Sequence, residues 1–192
     1  MSGPKQMSEP ADLRLAAARR GDRDAVEALL RQEYPKVAAL CRRLCANPED
    51  AADATQEAMI AIVRGLPGFD GRSAIGTWIY RVATNSCLDE LRRLQRRPIP
   101  SVPKDRAVAD RDVALRIDID AALAGLPLEF RTVVVLRDLC GLDYEEIASV
   151  LGLAGGTVRS RIARGRAALA ELVGNQTAPA DVEEGEPMSE RP

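Results

Sequence analysis

The pattern of apolar and polar positions between residues 143 and 173 predicts two helices separated by a short turn. Apolar side chains first recur at helical spacing. The pattern then breaks at Gly152, Gly155 and Gly156, where glycine allows a sharp turn without steric cost. A second helical pattern follows, and Thr157 is placed to cap it.

The second predicted helix has one apolar stripe and one basic face. The stripe consists of residues spaced three or four apart: Val158, Ile162, Gly165, Leu169 and Leu172. The opposite face and its flanks carry Arg159, Ser160, Arg161, Ala163, Arg164 and Arg166. Arginine suits this face because its planar fork can bond O6 and N7 of guanine together, and because it can neutralise phosphates at the flanks. We therefore predict a helix-turn-helix whose second helix enters the major groove of DNA.

Capping residues and helix breakers mark the helix ends in the rest of the chain. Asp22 and the pair Asn47-Pro48 are predicted helix starts. Ser73 is predicted to start a longer helix, and Pro127 to lie in the first turn of a later one. Three consecutive valines favour a strand locally, but their place between helical patterns predicts a buried helix. Sustained strand alternation is missing, so the predicted fold class is all-α.

A chain of 192 residues allows one medium domain or two small ones. The composition changes after residue 97, and we expect a helical domain at residues 11–97 and a second one at residues 113–174. Prolines and charged residues make residues 98–112 a flexible linker between them. Residues 1–10 are polar with two prolines, and residues 175–192 are acidic without periodicity, so both ends are predicted to be disordered.

Composition also narrows the candidate chemistry. The sequence has no histidine, which removes the commonest general base and the usual zinc ligand. Cys41, Cys45, Cys87 and Cys140 form no C-x-x-C pair and are predicted to be small, buried, reduced side chains. We predict no catalytic residue, no metal site and no cofactor. No signal-peptide pattern occurs and no apolar run approaches the ~20 residues that span a bilayer, which predicts a cytoplasmic protein without membrane insertion.

One helix of the first domain has an apolar face and a polar face. The apolar positions predicted to face the core are Ala52, Met59, Ile62 and Val63. The polar set spread along the same helix is Asp53, Gln56, Glu57 and Arg64. Periodicity alone indicates that this polar set is a solvated face.

The following segment gathers half of the aromatic residues of the chain beside polar side chains. It contains Phe69, Trp78 and Tyr80 together with Arg72, Arg81 and Asn85. Aromatic faces beside arginines can act as platforms for unstacked bases. The alternative is that the tryptophan belongs to the core, which is the commoner role for such a residue on a helix.

Six motifs occur in a fixed order along the chain. They are D-x-T-Q-E at 53–57, T-W-I-Y-R-V-A-T-N at 77–85, L-D-E-L-R-R at 88–93, L-P-L-E-F-R at 126–131, Y-E-E-I-A at 144–148 and G-T-V-R-S-R at 156–161. In this order the chain resembles the extracytoplasmic-function group of bacterial sigma factors, the promoter-specificity subunits of RNA polymerase. The resemblance covers nearly everything from residue 11 to residue 173.

The resemblance implies a sigma-two domain that binds core polymerase and the minus-ten promoter element. Core binding, to the clamp helices of the largest polymerase subunit, is expected from Asp53, Gln56 and Glu57. Minus-ten binding, with a flipped base of the non-template strand in a pocket, is expected from Phe69, Gly71, Arg72, Ser73, Trp78, Arg81 and Asn85.

The resemblance further implies a sigma-four domain that reads the minus-thirty-five duplex. Its expected contacts are Thr157, Arg159, Ser160, Arg161, Ala163, Arg164 and Arg166. Partners implied in the same way are core RNA polymerase, including the flap of the second largest subunit, promoter DNA and an anti-sigma protein.

Two other functions are compatible with parts of the sequence. A free-standing helix-turn-helix regulator would bind duplex DNA without polymerase, and it usually carries a dimerisation helix, for which no clear candidate is present. An enzyme is the weakest hypothesis. Its best support would be Glu145 and Glu146, but neighbouring residues on a helix point in different directions. Compensation of the helix dipole explains both acids adequately.

Overall fold

The computed structural model describes residues 9–45, 47–96 and 119–177. This part of the chain is helical and contains no strand, which confirms the all-α prediction. Its helices are α1 (Glu9–Arg19), α2 (Arg23–Leu44), α3 (Pro48–Gly65), α4 (Ile75–Arg96), α5 (Ile119–Gly125), α6 (Leu128–Val134), α7 (Tyr144–Leu151) and α8 (Gly155–Thr177). A 3₁₀ turn spans Leu66–Gly68 and a π-helical turn spans Val135–Leu139. The predicted linker and most of both predicted disordered ends lie outside the described residues. Where the ends are described, at residues 9–10 and 175–177, they are helical, so the prediction of disorder is wrong there.

Local capping explains where the first helices begin. The Asp22 side chain accepts a hydrogen bond from the backbone N–H of Ala25 at 2.8 Å, and α2 starts immediately after it. Asn47 accepts from the backbone N–H of Glu49 at 3.0 Å, with Pro48 at the first helical position. Both predicted starts are confirmed.

Two predicted helix positions are wrong by one or two residues. Helix α4 starts at Ile75 rather than at Ser73, because the carbonyl of Ala74 accepts the hydrogen bond from the N–H of Trp78. Pro127 precedes α6 instead of lying in its first turn.

Helices α2, α3 and α4 form the first helical unit, and α3 is rotated relative to the prediction. Its buried side is made mainly of alanines at positions 51, 54 and 58, together with Ile62. Ala52 is exposed and Val63 is 41% exposed, so these two residues do not face the core as predicted. Small alanines allow the three helices to approach closely, which leaves the larger side chains on the neighbouring face.

Helices α5 to α8 form the second helical unit, in which α8 approaches α6 closely at Gly165. A Cβ atom at this glycine would lie 2.7 Å from Cγ2 of Val134 and 3.2 Å from the carbonyl oxygen of Phe130. The three valines at 133–135 are buried between helices, as predicted. Helix α8 therefore packs directly on the backbone of α6.

We predict that Gly165→Ala destabilises the second unit. The added methyl group clashes with a buried, β-branched side chain, and overpacking of this kind costs about 1–3 kcal/mol. The gain in helix propensity offsets at most ~1 kcal/mol. Thermal and urea unfolding of the full chain measure the difference. Gly156→Ala is the matched control, since a Cβ atom there meets nothing within 4 Å; equal stability of the two variants would contradict the packing argument.

The two units pack against each other through one continuous core. Buried residues of the first unit, such as Leu40 and Leu44, belong to the same apolar cluster as Leu123 and Val135 of the second. Helix α2 contacts α5 and α6, and α4 contacts α7. The two units therefore contact each other directly, whereas the sequence predicts only two domains joined by a linker.

Candidate nucleic-acid interface

The predicted helix-turn-helix is present, with α7 and α8 as its two helices. Asp143 caps α7 in a capping box: its side chain accepts from the N–H of Glu146, whose carboxylate accepts in turn from the N–H of Asp143. Gly152 ends α7 in the left-handed conformation (φ 64°, ψ 34°), which glycine adopts without strain. The capping box confirms the interpretation of Glu146 as a helix-start residue.

The second half of the turn differs from the prediction. Helix α8 starts at Gly155, and the carbonyl of Ala154 accepts the N–H groups of Thr157 and Val158. Thr157 therefore lies inside the first turn and is not the cap. Gly155 and Gly156 are helical residues, so only Gly152 among the three glycines has a positive φ.

The open face of α8 carries the residues predicted for base contact. Arg159, Ser160, Ala163 and Arg164 are exposed, whereas Val158 and Ile162 on the opposite side are buried. The Ser160 hydroxyl donates to the carbonyl of Thr157 at 3.0 Å, and it retains its capacity to accept. The amphipathic division predicted from spacing is confirmed.

Ion pairs distinguish the arginines at the flanks of α8 from those on its open face. Arg161 pairs with Glu129 at 2.8 Å, and Nε of Arg166 lies 3.0 Å from Oδ2 of Asp138. The hydrogen bond to Asp138 raises the pKa of Arg166. Arg159 and Arg164 have no such partner within the described part of the chain. These two guanidinium groups are available to bind an external acceptor.

The loop before α4 has a defined turn. Gly71 has a φ of 76°, and the side chain of Asp70 accepts from the backbone N–H of Arg72 at 3.0 Å. The Arg72 side chain is exposed and lies 3.2 Å from Asp70, while Ser73 is half-buried. The loop presents one arginine to solvent next to the start of α4.

Helix α4 aligns three of the predicted minus-ten residues at positions i, i+3 and i+7. Asn85 is exposed, while Trp78 and Arg81 are half-buried. Phe69, however, is only 3% exposed, and its ring lies 5.5 Å from that of Trp78 in a tilted arrangement. In this arrangement the Phe69 ring is buried against Trp78, so it is not open to a stacking base.

Helix α4 forms hydrogen bonds with the second unit that the sequence patterns did not predict. The hydroxyl of Thr77 donates to Oε1 of Glu146 at 2.7 Å. Nη2 of Arg81 donates to the hydroxyl of Ser149, also at 2.7 Å. Helix α7 therefore lies over the amino-terminal half of α4.

The residues predicted to bind core polymerase are all exposed on α3, and Gln56 and Glu57 border two different hollows. Gln56 lines an apolar groove of about 910 Å³ between α2 and α3, bordered by the exposed side chains of Tyr34 and Val63. Glu57 lines a separate hollow with Arg93, and the pKa of that arginine is raised mainly by its hydrogen bond to Glu90 and the charge of Glu90, and further by the charges of Asp53 and Glu57. The α2–α3 groove was missed because Val63 was assigned to the core.

The cysteines lie at helix contacts. Cys41, Cys45 and Cys87 are buried and Cys140 is half-buried, and all four are free thiols. The pKa of Cys87 is raised because it donates its S–H to the sulfur of Cys41 at 3.0 Å. Burial raises the pKa of Cys140 to about 11. Residues 9–45, 47–96 and 119–177 contain no group of three or more metal-ligating side chains that could hold an ion.

The chain is similar in sequence to known proteins over both helical units. Family models match the chain as Sigma-70 region 2 over residues 29–97 and as Sigma-70, region 4 over residues 116–169. The chain is 41% identical over 162 residues to the ECF RNA polymerase sigma factor SigM of Mycobacterium tuberculosis, covering 83% of each protein.

Two solved structures are similar to the chain. One is CnrH in complex with the cytosolic domain of CnrY, with a TM-score of 0.66 and 26% identity, covering 86% of this chain and 98% of that one. The other shares the fold: the sigma factor RpoE in complex with the anti-sigma factor NepR from Bartonella quintana, with a TM-score of 0.63 and 24% identity, covering 77% of this chain and 96% of that one.

None of the helices in the described residues is long and apolar enough to cross a membrane.

Proposed function

This chain belongs to the extracytoplasmic-function family of RNA polymerase sigma factors, and from that membership we propose how its two helical units divide the work of promoter recognition. The second unit reads the minus-thirty-five element, and the first unit binds core polymerase and the minus-ten element. The observation that carries the proposal is the open face of α8, where Arg159 and Arg164 are exposed and unpaired within the described residues.

Reading of the minus-thirty-five duplex falls to the open face of α8. Arg159 and Arg164 bond base edges in the major groove, since a guanidinium can contact O6 and N7 of guanine at once. Ser160 and Ala163 lie between them, and the small Ala163 allows the helix to approach the bases closely. Arg161 and Arg166, held by carboxylates of their own unit, lie nearer the phosphates, and Thr157 lies at the start of the same helix.

Docking on core polymerase uses the α2–α3 groove. Its apolar lining and its open shape fit the apolar face of a partner helix, and Gln56 supplies a polar group at its edge. We assign the clamp helices of the largest polymerase subunit as the occupant. Asp53 and Glu57 lie on the neighbouring face of α3 and contact the same partner at its rim.

The minus-ten element is held by α4 and the loop before it. Arg72 and Asn85 are exposed and can reach the displaced strand, with Gly71 and Ser73 shaping the loop and Arg81 on the same side of α4. The buried Phe69 ring packs against Trp78 and holds it in place. Extruding a base costs a few kcal/mol, which stacking and pocket contacts offset.

Two further partners complete the proposal. The flap of the second largest polymerase subunit positions the second unit. An anti-sigma protein holds the chain inactive; the sigma factor RpoE, which shares the fold, was solved in complex with the anti-sigma factor NepR. We propose that the chain acts in the cytoplasm, without catalytic activity of its own.

Run-off transcription with purified core polymerase tests the proposal directly. The full chain is expected to bind core and to confer initiation at defined start sites on genomic promoter fragments. If the chain never binds core and shifts duplex DNA by itself, it is a free-standing regulator and the proposal is wrong.

We predict that Val63→Asp weakens binding to core polymerase about 30-fold. The substitution places a carboxylate in the α2–α3 groove, where docking would bury it without a partner, at a cost of about 2 kcal/mol. Affinity is measured by titrating labelled full chain with core. Leu13→Asp is the matched control, because Leu13 is 71% exposed and does not line the groove. Equal affinities for the two variants would exclude the groove as the docking site.

A further inference from the structure

Three buried thiols meet where α2 packs on α4. Cys41 and Cys45 lie one helical turn apart at the carboxyl end of α2, and Cys87 lies opposite them on α4. The sulfur atoms of Cys41 and Cys87 are 3.0 Å apart, and the Cys87 thiol also has a hydrogen-bond contact with Cys45. Because a disulfide bond is about 2.0 Å long, the two sulfur atoms of the closest pair need to approach by only about 1 Å to be joined.

The two thiols of the closest pair differ in how easily they ionise. The Cys87 thiol donates to the sulfur of Cys41, and this hydrogen bond holds the pKa of Cys41 below its usual value. The same contact raises the pKa of Cys87, as do Cys45 and burial. The thiolate is the nucleophile in cysteine oxidation, so we expect Cys41 to react first with an oxidant and Cys87 to react second.

Cys41 lies next to the floor of the α2–α3 groove. Its sulfur is within hydrogen-bonding reach of the Thr55 hydroxyl, and Thr55 lines the groove. Cys41 itself is fully buried, so only a small, uncharged oxidant such as a hydroperoxide is expected to reach it, through local opening of the helix contact. Large disulfide reagents are excluded for the same reason.

We propose that Cys41 and Cys87 are a redox modification site, at which a hydroperoxide forms a reversible disulfide between α2 and α4. The Cys41 thiolate attacks one oxygen of the hydroperoxide and the O–O bond breaks. The products are a sulfenic acid and an alkoxide, or hydroxide from hydrogen peroxide, which takes up the proton that Cys41 lost. The Cys87 sulfur then attacks the sulfenic sulfur, and its proton leaves with the hydroxyl group as water.

The balance of the reaction is two thiols oxidised and one hydroperoxide reduced. A dithiol reductant reverses the bond by exchange, since two thiolates of the reductant replace the two sulfur atoms in turn. Reversal of this kind is expected in a reducing compartment, where disulfides are usually transient.

The disulfide stabilises the folded chain. The two cysteines are 46 residues apart, and the loop between them contains all of α3 and the turn before α4. Closing a loop of this length lowers the entropy of the unfolded chain, so oxidation is expected to raise the melting temperature by about 5–15 °C. The sulfur atoms move little, so the α2–α3 groove keeps its shape and affinity for core polymerase stays unchanged. Oxidation therefore protects the chain and does not switch it off.

Peptide mapping identifies the bond. The reduced full chain is treated with hydrogen peroxide, unreacted thiols are blocked with iodoacetamide, and trypsin is added without a reductant. Trypsin cleaves at the two arginines between Cys41 and Cys45, so peptides 37–42 and 44–64 carry one cysteine each. The expected product joins peptide 37–42 to the α4 peptide 82–92, and it is lighter than the two free peptides by two hydrogen atoms. A bond from peptide 44–64 instead, or no bond, would overturn the assignment.

Cys140 is an internal control for exposure. It is half-buried, whereas Cys41 is fully buried, and burial raises the pKa of Cys140 to about 11. With limiting hydrogen peroxide, the bond between Cys41 and Cys87 is therefore expected to form before Cys140 is oxidised. Earlier oxidation of Cys140 would mean that exposure alone sets reactivity, and the proposed site would be wrong.

Melting curves of the oxidised and reduced full chain test the effect on stability. The gain on oxidation is expected in the wild type and in Cys140→Ala, the matched control, and it should be absent in Cys87→Ala. No gain in wild type that carries the mapped bond would contradict the stabilising role, as would weaker binding of the oxidised wild type to core. If Cys87→Ala does not fold, mapping and melting of the wild type still decide. Both use the chain without polymerase or DNA, so their failure leaves the sigma-factor assignment intact.

Discussion

Replacing both Arg159 and Arg164 by alanine is expected to abolish initiation at promoters that depend on the minus-thirty-five element, while affinity for core polymerase stays unchanged. Both guanidinium groups are exposed on the open face of α8 and have no partner among the described residues, so the substitutions disturb no ion pair there. Each bidentate arginine contributes about 1–3 kcal/mol of discrimination, so losing both weakens specific binding by roughly 30-fold to 10⁴-fold. Run-off transcription and a core-binding titration measure the two quantities separately.

Matched variants separate base reading from charge. The Arg159→Lys, Arg164→Lys double variant keeps both positive charges but loses the planar fork, so it should retain non-specific affinity and lose promoter discrimination. Arg166→Ala should have a smaller effect, because Asp138 already engages this side chain. Full activity of the lysine variant would show that α8 contributes only charge.

Among the single substitutions proposed here, Arg131→Met is expected to lower the free energy of unfolding the most. The side chain is 8% exposed and donates to the carbonyls of Leu44, Ala124 and Leu126. Methionine has a similar length and no donor, so it leaves buried carbonyls unsatisfied. The expected loss is about 3–5 kcal/mol, or roughly 6–20 °C in melting temperature for a chain of this size. Thermal unfolding followed by circular dichroism measures it.

An arginine in an exposed pair is the matched control. Arg92 pairs with Asp89 at 2.8 Å, and both side chains are well exposed. Because surface ion pairs contribute little, Arg92→Met should change stability by less than ~1 kcal/mol. A similar loss in both variants would mean that the three carbonyl contacts of Arg131 do not stabilise the fold.

Local sequence signals were enough to predict the helices, the turn between α7 and α8, and the exposed basic face of α8. These features depend on residues within a few positions of one another: a capping aspartate, a left-handed glycine, and apolar residues repeating every three or four positions. Arg159 and Arg164 could be identified because Val158 and Ile162 fix the buried side of the same helix. The position of Thr157 was missed because Ala154, rather than a side-chain cap, accepts the first hydrogen bonds of α8.

Packing between helices sets which side of α3 is buried, closes Phe69 to solvent and determines what α4 contacts. Alanine is apolar enough for either face of a helix, so the rotation of α3 depends on how closely α2 and α4 approach it. The α7 partners of Thr77 and Arg81 lie 69 and 68 residues away along the chain, and the Leu44 carbonyl that Arg131 contacts lies 87 residues away. No local periodicity encodes contacts over such distances, because they form only when separate helices pack. The contact between α7 and α4 is a property of that packing.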